Sequence, residues 1–167
     1  MLRRTFLKSV CVLYVVFIIT NLVSCSSKIY SDNIACSYIT ATAKETVLPT
    51  EEYIEYSKEE ISLLFDNLEL FDSFSVIYSS SADNVGEFGI FHASSLENTE
   101  ALFQSVSEYV AELKNEKNAF VRNYLPYEIS KLDSAQVKII GNYVAFTVLD
   151  SPVAQAVFNE IESILTQ

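Results

Sequence analysis

The sequence of 167 residues is long enough for one domain after a short leader, and its composition excludes several protein classes. Half of the residues are hydrophobic and 13% are aromatic, which excludes an intrinsically disordered chain. The net charge of −11 predicts repulsion from nucleic acid and from anionic lipid headgroups. This acidity would attract cations or basic partners, although it also serves simply to keep a secreted domain soluble.

The chain begins with a segment that is typical of a secretion signal. Residues 1–9 contain all three basic residues of the leader, and an apolar run over residues 10–20 follows. A bilayer span needs about 20 apolar residues, and no charged stop-transfer cluster follows this shorter run. The pattern therefore predicts a cleaved signal peptide over residues 1–24. An uncleaved signal anchor is the alternative.

The signal ends in Leu22, Val23, Ser24 and Cys25, a sequence that resembles the lipobox of bacterial lipoproteins. The resemblance implies cleavage between Ser24 and Cys25 and a diacylglyceryl group on the Cys25 sulfur. Two acyl chains anchor a protein stably to a bilayer. We therefore expect a lipidated tether over residues 25–33 and a location on the extracytoplasmic face of a bacterial cell membrane.

The first half of the mature chain predicts two helices and a hairpin. Small and apolar residues at helical spacing indicate a helix over 34–43, although its β-branched residues would also suit a strand. Residues 47–57 look like a linker. Ser57 and Glu60 stand at capping-box spacing and predict a second helix. Alternating apolar residues over 73–81 and 87–94 then predict an antiparallel hairpin.

The second half repeats the order of hairpin and helix. A long helix is expected from a capping box at Ser94 and Glu97 to about Arg122. A second hairpin is expected over 135–150, with its turn at Gly141 and Asn142. A C-terminal helix follows, capped by Ser151. The inward stripe of the long helix is expected to consist of Leu102, Val106, Tyr109, Leu113 and Phe120.

These elements predict an α+β fold in a single extracytoplasmic domain over residues 34–167. We expect a two-layer sandwich in which a four-stranded antiparallel sheet, made from the two hairpins, packs against the long helix and the C-terminal helix.

Three segments resemble a family of bacterial lipoprotein domains, domain-of-unknown-function family 4358. They are residues 87–90 (EFGI), residues 124–126 (YLP) and residues 141–144 (GNYV). The resemblance extends over about residues 31–167 and implies a small α+β lipoprotein. The segments are structural signatures, and the family implies no catalytic residue.

No motif for catalysis or metal binding is visible in the sequence, and we expect no cofactor. The only histidine is His92, and a catalytic role would need an acid partner, for which Glu87 and Asp83 are the candidates. Neighbouring acids such as Glu59 and Glu60 fall in helix first turns, where they complement the helix dipole. Cys36 is left without a partner if Cys25 is lipidated, which indicates a small buried hydrophobic residue.

Tyrosines near loops are the remaining candidates for a binding surface. Tyr124, Tyr127 and Tyr143 would form such a surface, or would be partly buried with their hydroxyls in water. The leading hypothesis is a non-catalytic, lipid-anchored binding or accessory module for an envelope protein or a small ligand. The alternatives are an envelope hydrolase with an unrecognised carboxylate site and a small solute-binding lipoprotein.

Overall fold

The computed structural model describes residues 28–166, which contain five α-helices and five β-strands. The expected signal peptide and the lipobox residues Leu22, Val23, Ser24 and Cys25 lie outside the described residues. In chain order the elements are α1 (Cys36–Val47), β1 (Tyr53–Glu55), α2 (Lys58–Leu64), β2 (Phe71–Ser79), β3 (Glu87–Ala93), α3 (Thr99–Tyr124), α4 (Ile129–Asp133), β4 (Gln136–Ile140), β5 (Tyr143–Val148) and α5 (Ser151–Leu165).

The five strands form one antiparallel sheet in the order β1-β2-β3-β5-β4. Both predicted hairpins are present, and they join where β3 pairs with β5, from Glu87 opposite Val148 to His92 opposite Tyr143. The mixed helix and strand content and the antiparallel sheet are confirmed. The prediction of four strands is wrong, because the expected linker contains β1. That edge strand has three residues, too few to show an alternating pattern.

Helices cover both faces of the sheet, so the expected two-layer packing is also wrong. Phe88 and Ile90 belong to a core with α1 and α5, whereas Phe91 and Phe146 belong to a second core with α3. Neighbouring residues of a strand point to opposite faces, so the two cores lie on opposite sides. The physical reason is that β5 is buried along its whole length, and a strand buried on both faces needs two covering layers.

The helix caps agree only in part with the sequence. The capping box of α2 is confirmed, since the Glu60 amide donates to Ser57 Oγ at 3.2 Å and the Ser57 amide donates to Glu60 Oε2 at 2.7 Å. The expected box at Ser94 is wrong. Its hydroxyl donates to the Glu69 carbonyl oxygen at 2.7 Å, and a 3-10 turn leads into α3. Phe120 is 55% exposed and does not belong to the inward stripe.

Glycine is required at one point of β3. A Cβ atom on Gly89 would lie 2.6 Å from Val76 Cγ2 and 3.0 Å from Phe146 Cε1. Both neighbours belong to the core beneath α3, so a larger residue would push the strands apart. The segment that carries the family resemblance in the first hairpin therefore has a packing role. Gly141 at the second turn has a φ of +63°, as its position predicts.

Candidate functional site

The three tyrosines of the expected binding surface do not come together. Tyr124 and Tyr127 are exposed at the end of α3, whereas Tyr143 is buried at the start of β5. The Tyr143 hydroxyl donates to the Ile34 carbonyl oxygen at 2.8 Å and accepts from the Ile34 amide at 3.0 Å. Tyr143 therefore fixes the chain that enters α1.

His92 has two acid partners, and neither of them is Glu87 or Asp83, the two acids suggested by the sequence. Its Nδ1 lies 2.7 Å from Asp72 Oδ1, and its Nε2 lies 3.0 Å from Asp32 Oδ1. Burial lowers the pKa of His92, but the hydrogen bonds and charges of Asp72 and Asp32 outweigh it and leave that pKa above its ordinary value. An imidazole can donate from both nitrogens only when it is protonated. The His92 cluster is therefore an ion-pair clamp on the segment that precedes α1.

Cys36 lies behind this cluster and has the character of a packing residue. Its side chain is buried, and its Sγ lies 3.4 Å from Ser73 Oγ. Burial raises the pKa of the thiol to about 11, so it stays protonated at neutral pH. Such a thiol is a poor nucleophile.

The most unusual polar group of the described residues is the carboxylate of Glu87, the first residue of β3. Glu87 is only 1% exposed and faces α3. Its Oε1 accepts a hydrogen bond of 2.5 Å from the Tyr109 hydroxyl. Its Oε2 is buried and has no hydrogen-bond partner. A buried carboxylate with one unpaired oxygen is costly to maintain, and such an atom calls for an explanation.

The nearest cation to the unpaired oxygen is the ammonium of Lys117. Its Nζ lies 3.9 Å from Glu87 Oε2, within reach of an ion pair but too far for a hydrogen bond. Burial raises the pKa of Glu87, while the Tyr109 hydrogen bond and the Lys117 charge lower it in part. The Lys117 side chain is 39% exposed, so it reaches the carboxylate from the solvent side.

An open cavity of about 380 Å³ lies between α2 and α3, and Glu87 itself does not line it. Lys117 and Tyr109, the two side chains that approach Glu87, both line it. We call it the Glu87 cavity. Its apolar wall consists of Tyr56, Leu63, Leu64 and Leu113, and its acidic rim consists of Glu112 and Glu116.

Residues 50–149 match the model of the family described as Domain of unknown function (DUF4358). The chain belongs to this family. The match is narrower than the resemblance over residues 31–167 expected from the sequence. No curated protein and no solved structure matches the chain.

The matched range includes Glu87 and every residue that lines the Glu87 cavity, as well as His92 and Asp72. Asp32 and Cys36 lie before it. The family match therefore covers the whole segment that lines the cavity. The His92 cluster is covered only in part, because Asp32 lies before the matched range.

The charge of the Glu87 cavity is unbalanced. Two carboxylates line it, those of Glu112 and Glu116, against the one ammonium of Lys117, and the Glu87 carboxyl group lies beside that ammonium. Apolar side chains surround part of this charge, and low-dielectric walls strengthen the field that an acidic cleft exerts on a ligand. The cavity thus combines hydrophobic contact area with a negative potential.

No group of three or more histidine, cysteine or acidic side chains in residues 28–166 is arranged to hold a metal ion. No helix in the same range has both the length and the apolar character that a membrane crossing requires.

The sequence indicates separate parts of this site but does not join them. Its helical pattern predicts Tyr109 on the inward stripe of α3, where it lies, and its strand pattern places Glu87 at the start of β3. The signal that could have found the site is an acid within an otherwise apolar strand, facing a helix whose stripe carries a hydroxyl.

Proposed function

We propose that this protein is a non-catalytic binding module, anchored by lipid to the extracytoplasmic face of a bacterial membrane, and that the Glu87 cavity is its binding site. The anchor rests on the resemblance of residues 22–25 to a lipobox and on the basic, then apolar, segment before them. A lipid anchor would hold the domain, and with it the cavity, within reach of partners in the cell envelope.

One observation supports the choice of site most strongly. Glu87 Oε2 is buried without a hydrogen-bond partner, and the two side chains that approach Glu87, Tyr109 and Lys117, line an open cavity. Unpaired buried carboxylates destabilise a fold, so they are concentrated where a ligand or a reaction uses them. The apolar wall of Tyr56, Leu63 and Leu64 offers the contact area that binding also requires.

A binding role is favoured over catalysis by the way the titratable groups are arranged. Glu87 is flanked by the Tyr109 hydroxyl and the Lys117 ammonium, two donors that hold its carboxyl group as a fixed acceptor, and an acceptor of this kind suits the binding of a donor group. Residues 28–166 contain a single sheet, whereas a two-lobed solute-binding protein has a separate core in each lobe.

A hydrolase that uses His92 is the second candidate. A cavity of about 410 Å³ lies beside His92 and two aspartates. A general base needs a free ring nitrogen, and both nitrogens of His92 are held by carboxylates, so Asp32 would have to move away first. Loss of ester or amide hydrolysis in His92→Gln, with the fold intact, would favour this candidate over the binding module.

The proposal can be tested in the membrane with a photo-crosslinking residue. Benzoylphenylalanine at Leu63 would report contacts at the rim of the Glu87 cavity, and the same residue at Leu96 is the matched control, because both positions are highly exposed. We expect a defined mass addition at position 63 that is absent at position 96 and is lost on Glu87→Gln. Equal labelling at both positions, or no effect of Glu87→Gln, would refute a role for the cavity.

A further inference from the structure

We infer that the Glu87 cavity takes a primary ammonium group carried on a short aliphatic chain, with the ammonium at Glu87 Oε2 and the chain against the apolar wall. This inference rests on the proposed function and specifies its ligand. Three independent features of the cavity support it.

The first feature is the unpaired oxygen itself. Glu87 Oε2 is an acceptor, buried and aimed toward Lys117 at the cavity wall. Its other oxygen already accepts from Tyr109. A ligand that satisfies Oε2 must bring a hydrogen-bond donor, and a charged donor does so with a stronger bond than a neutral one. An anionic ligand would instead be repelled by the carboxylate.

The second feature is that one of the protein's own side chains already places an alkylammonium group near the Glu87 carboxylate. The side chain of Lys117 is an ammonium on four methylenes, and it stops 3.9 Å from Oε2. It is 39% exposed and therefore free to move aside into water. The Lys117 ammonium thus lies near the position that we infer for the ammonium of the ligand. A ligand that brings its ammonium closer to Oε2 would displace Lys117.

The third feature is the surrounding charge and surface. Glu112 and Glu116 add two negative charges on the solvent side, and Leu63, Leu64 and Leu113 offer contact to methylenes. The net charge of the whole chain is −11, which raises the local concentration of cations around it. An aliphatic amine matches both the charge and the apolar wall.

The test is equilibrium dialysis of small probes against the full-length lipidated protein in nanodiscs, with empty nanodiscs as background. The probes are hexylammonium, its neutral counterpart 1-hexanol and its anionic counterpart hexanoate. A fourth probe, Nα-acetyl-lysine N-methylamide, presents the same ammonium as a lysine side chain of a protein. A pH of about 8 keeps the amines charged and favours the ionised form of Glu87.

We expect hexylammonium to bind about tenfold or more tightly than 1-hexanol, and hexanoate to bind more weakly still. A preference for the acetyl-lysine probe would identify a protein side chain as the source of the ammonium, and a preference for hexylammonium would identify a free amine. Both outcomes support the inference. Equal binding of hexylammonium and 1-hexanol overturns it.

Substitutions sharpen the test. Glu87→Gln keeps the shape and the acceptor for Tyr109 but removes the charge, so hexylammonium affinity should fall about tenfold. Glu112→Gln, at the exposed rim, should weaken binding about twofold without affecting the fold. Glu100→Gln on the first turn of α3, away from the cavity, is the matched control and should leave affinity unchanged. Unchanged affinity in both cavity variants overturns the inference.

Lys117→Met separates a cation site from an anion site. Removal of the competing ammonium should strengthen hexylammonium binding, whereas a site for anions would lose affinity. If no probe binds while the crosslink at Leu63 depends on Glu87, the binding module stands and the ammonium inference fails. If neither the probes nor the crosslink respond to Glu87, both fail.

Discussion

The hydroxyl of Tyr109 on α3 donates a 2.5 Å hydrogen bond to Oε1 of Glu87 on β3, inside the core between helix and sheet. This bond satisfies one carboxylate oxygen and leaves the other unpaired. Burial and the adjacent carboxylate both raise the pKa of Tyr109, so the hydroxyl remains a donor at every physiological pH. The bond therefore holds the Glu87 carboxyl group against Tyr109, which lines the Glu87 cavity.

Tyr109→Phe should destabilise the domain by about 1–3 kcal/mol, because both oxygens of a buried carboxylate would then be without a hydrogen-bond donor. Urea unfolding measures the loss. Tyr124→Phe is the matched control, since that hydroxyl is on an exposed side chain, and it should change stability by less than about 0.5 kcal/mol. The cost of Tyr109→Phe should largely vanish in a Glu87→Met background. An equal cost in both backgrounds would contradict the hydrogen-bond explanation.

His92 should make stability depend on pH in a defined direction. Its pKa is raised in the folded protein, so its stabilising contribution is fully present below about pH 6.5 and is lost as the pH rises through the folded value. The difference in unfolding free energy between the natural protein and His92→Gln should therefore shrink between about pH 6 and pH 9.

Urea unfolding at several pH values measures this difference, and the subtraction removes the contribution of Glu87, which both proteins share. A difference that grows with pH would contradict the clamp formed by Asp72 and Asp32. Asp72→Asn offers a second check, because the loss of one acid partner should reduce the same pH dependence.

Lys131→Met should destabilise the end of the domain near α4 by about 3 kcal/mol. The Lys131 ammonium donates to Glu128 Oε2 at 2.8 Å and to Asn84 Oδ1 at 2.9 Å, and Glu128 Oε2 also accepts from the Val85 amide at 3.0 Å. The substitution leaves a nearly buried carboxylate without its cation. Lys58→Met on the surface of α2 is the control. Equal thermal stability of the two variants would show that the pair contributes nothing.

Cys25→Ala should block lipid attachment and leave the precursor uncleaved. The expected results are a larger band on denaturing gels and no incorporation of a labelled fatty acid, because only a thiol can form the thioether. Ser26→Ala is the matched control and should be processed normally. A Cys25→Ala protein found on the membrane at mature size would contradict lipid anchoring.

The sequence predicted the local elements of this fold better than their assembly. Capping at Ser57 and the turn at Gly141 depend on neighbouring residues, and both are present. The pairing of β3 with β5 depends on residues more than 50 positions apart, and no local pattern encodes it. The three-residue strand β1 is not predicted, because three residues are too few to show an alternating pattern.

The candidate site was harder to predict for the same reason. Glu87 and Tyr109 meet only because α3 crosses the face of β3, and Leu63 reaches the same cavity from α2. Asp32 reaches His92 from a segment 60 positions earlier, whereas the sequence suggested nearby acids. Chemistry that depends on side chains from distant segments becomes visible only when the sheet order is known.

The pKa of Glu87 tests the binding of an ammonium group at this carboxylate most directly. It can be followed by the ¹³C shift of the side-chain carboxyl in the lipidated protein, with Glu87→Gln used to assign the resonance. A bound cation favours the charged form of a carboxylate, and the linkage between binding and ionisation is reciprocal. Saturating hexylammonium should therefore lower the pKa of Glu87, which starts above its ordinary value. A pKa that stays the same or rises when hexylammonium is added would contradict the binding of a cation there.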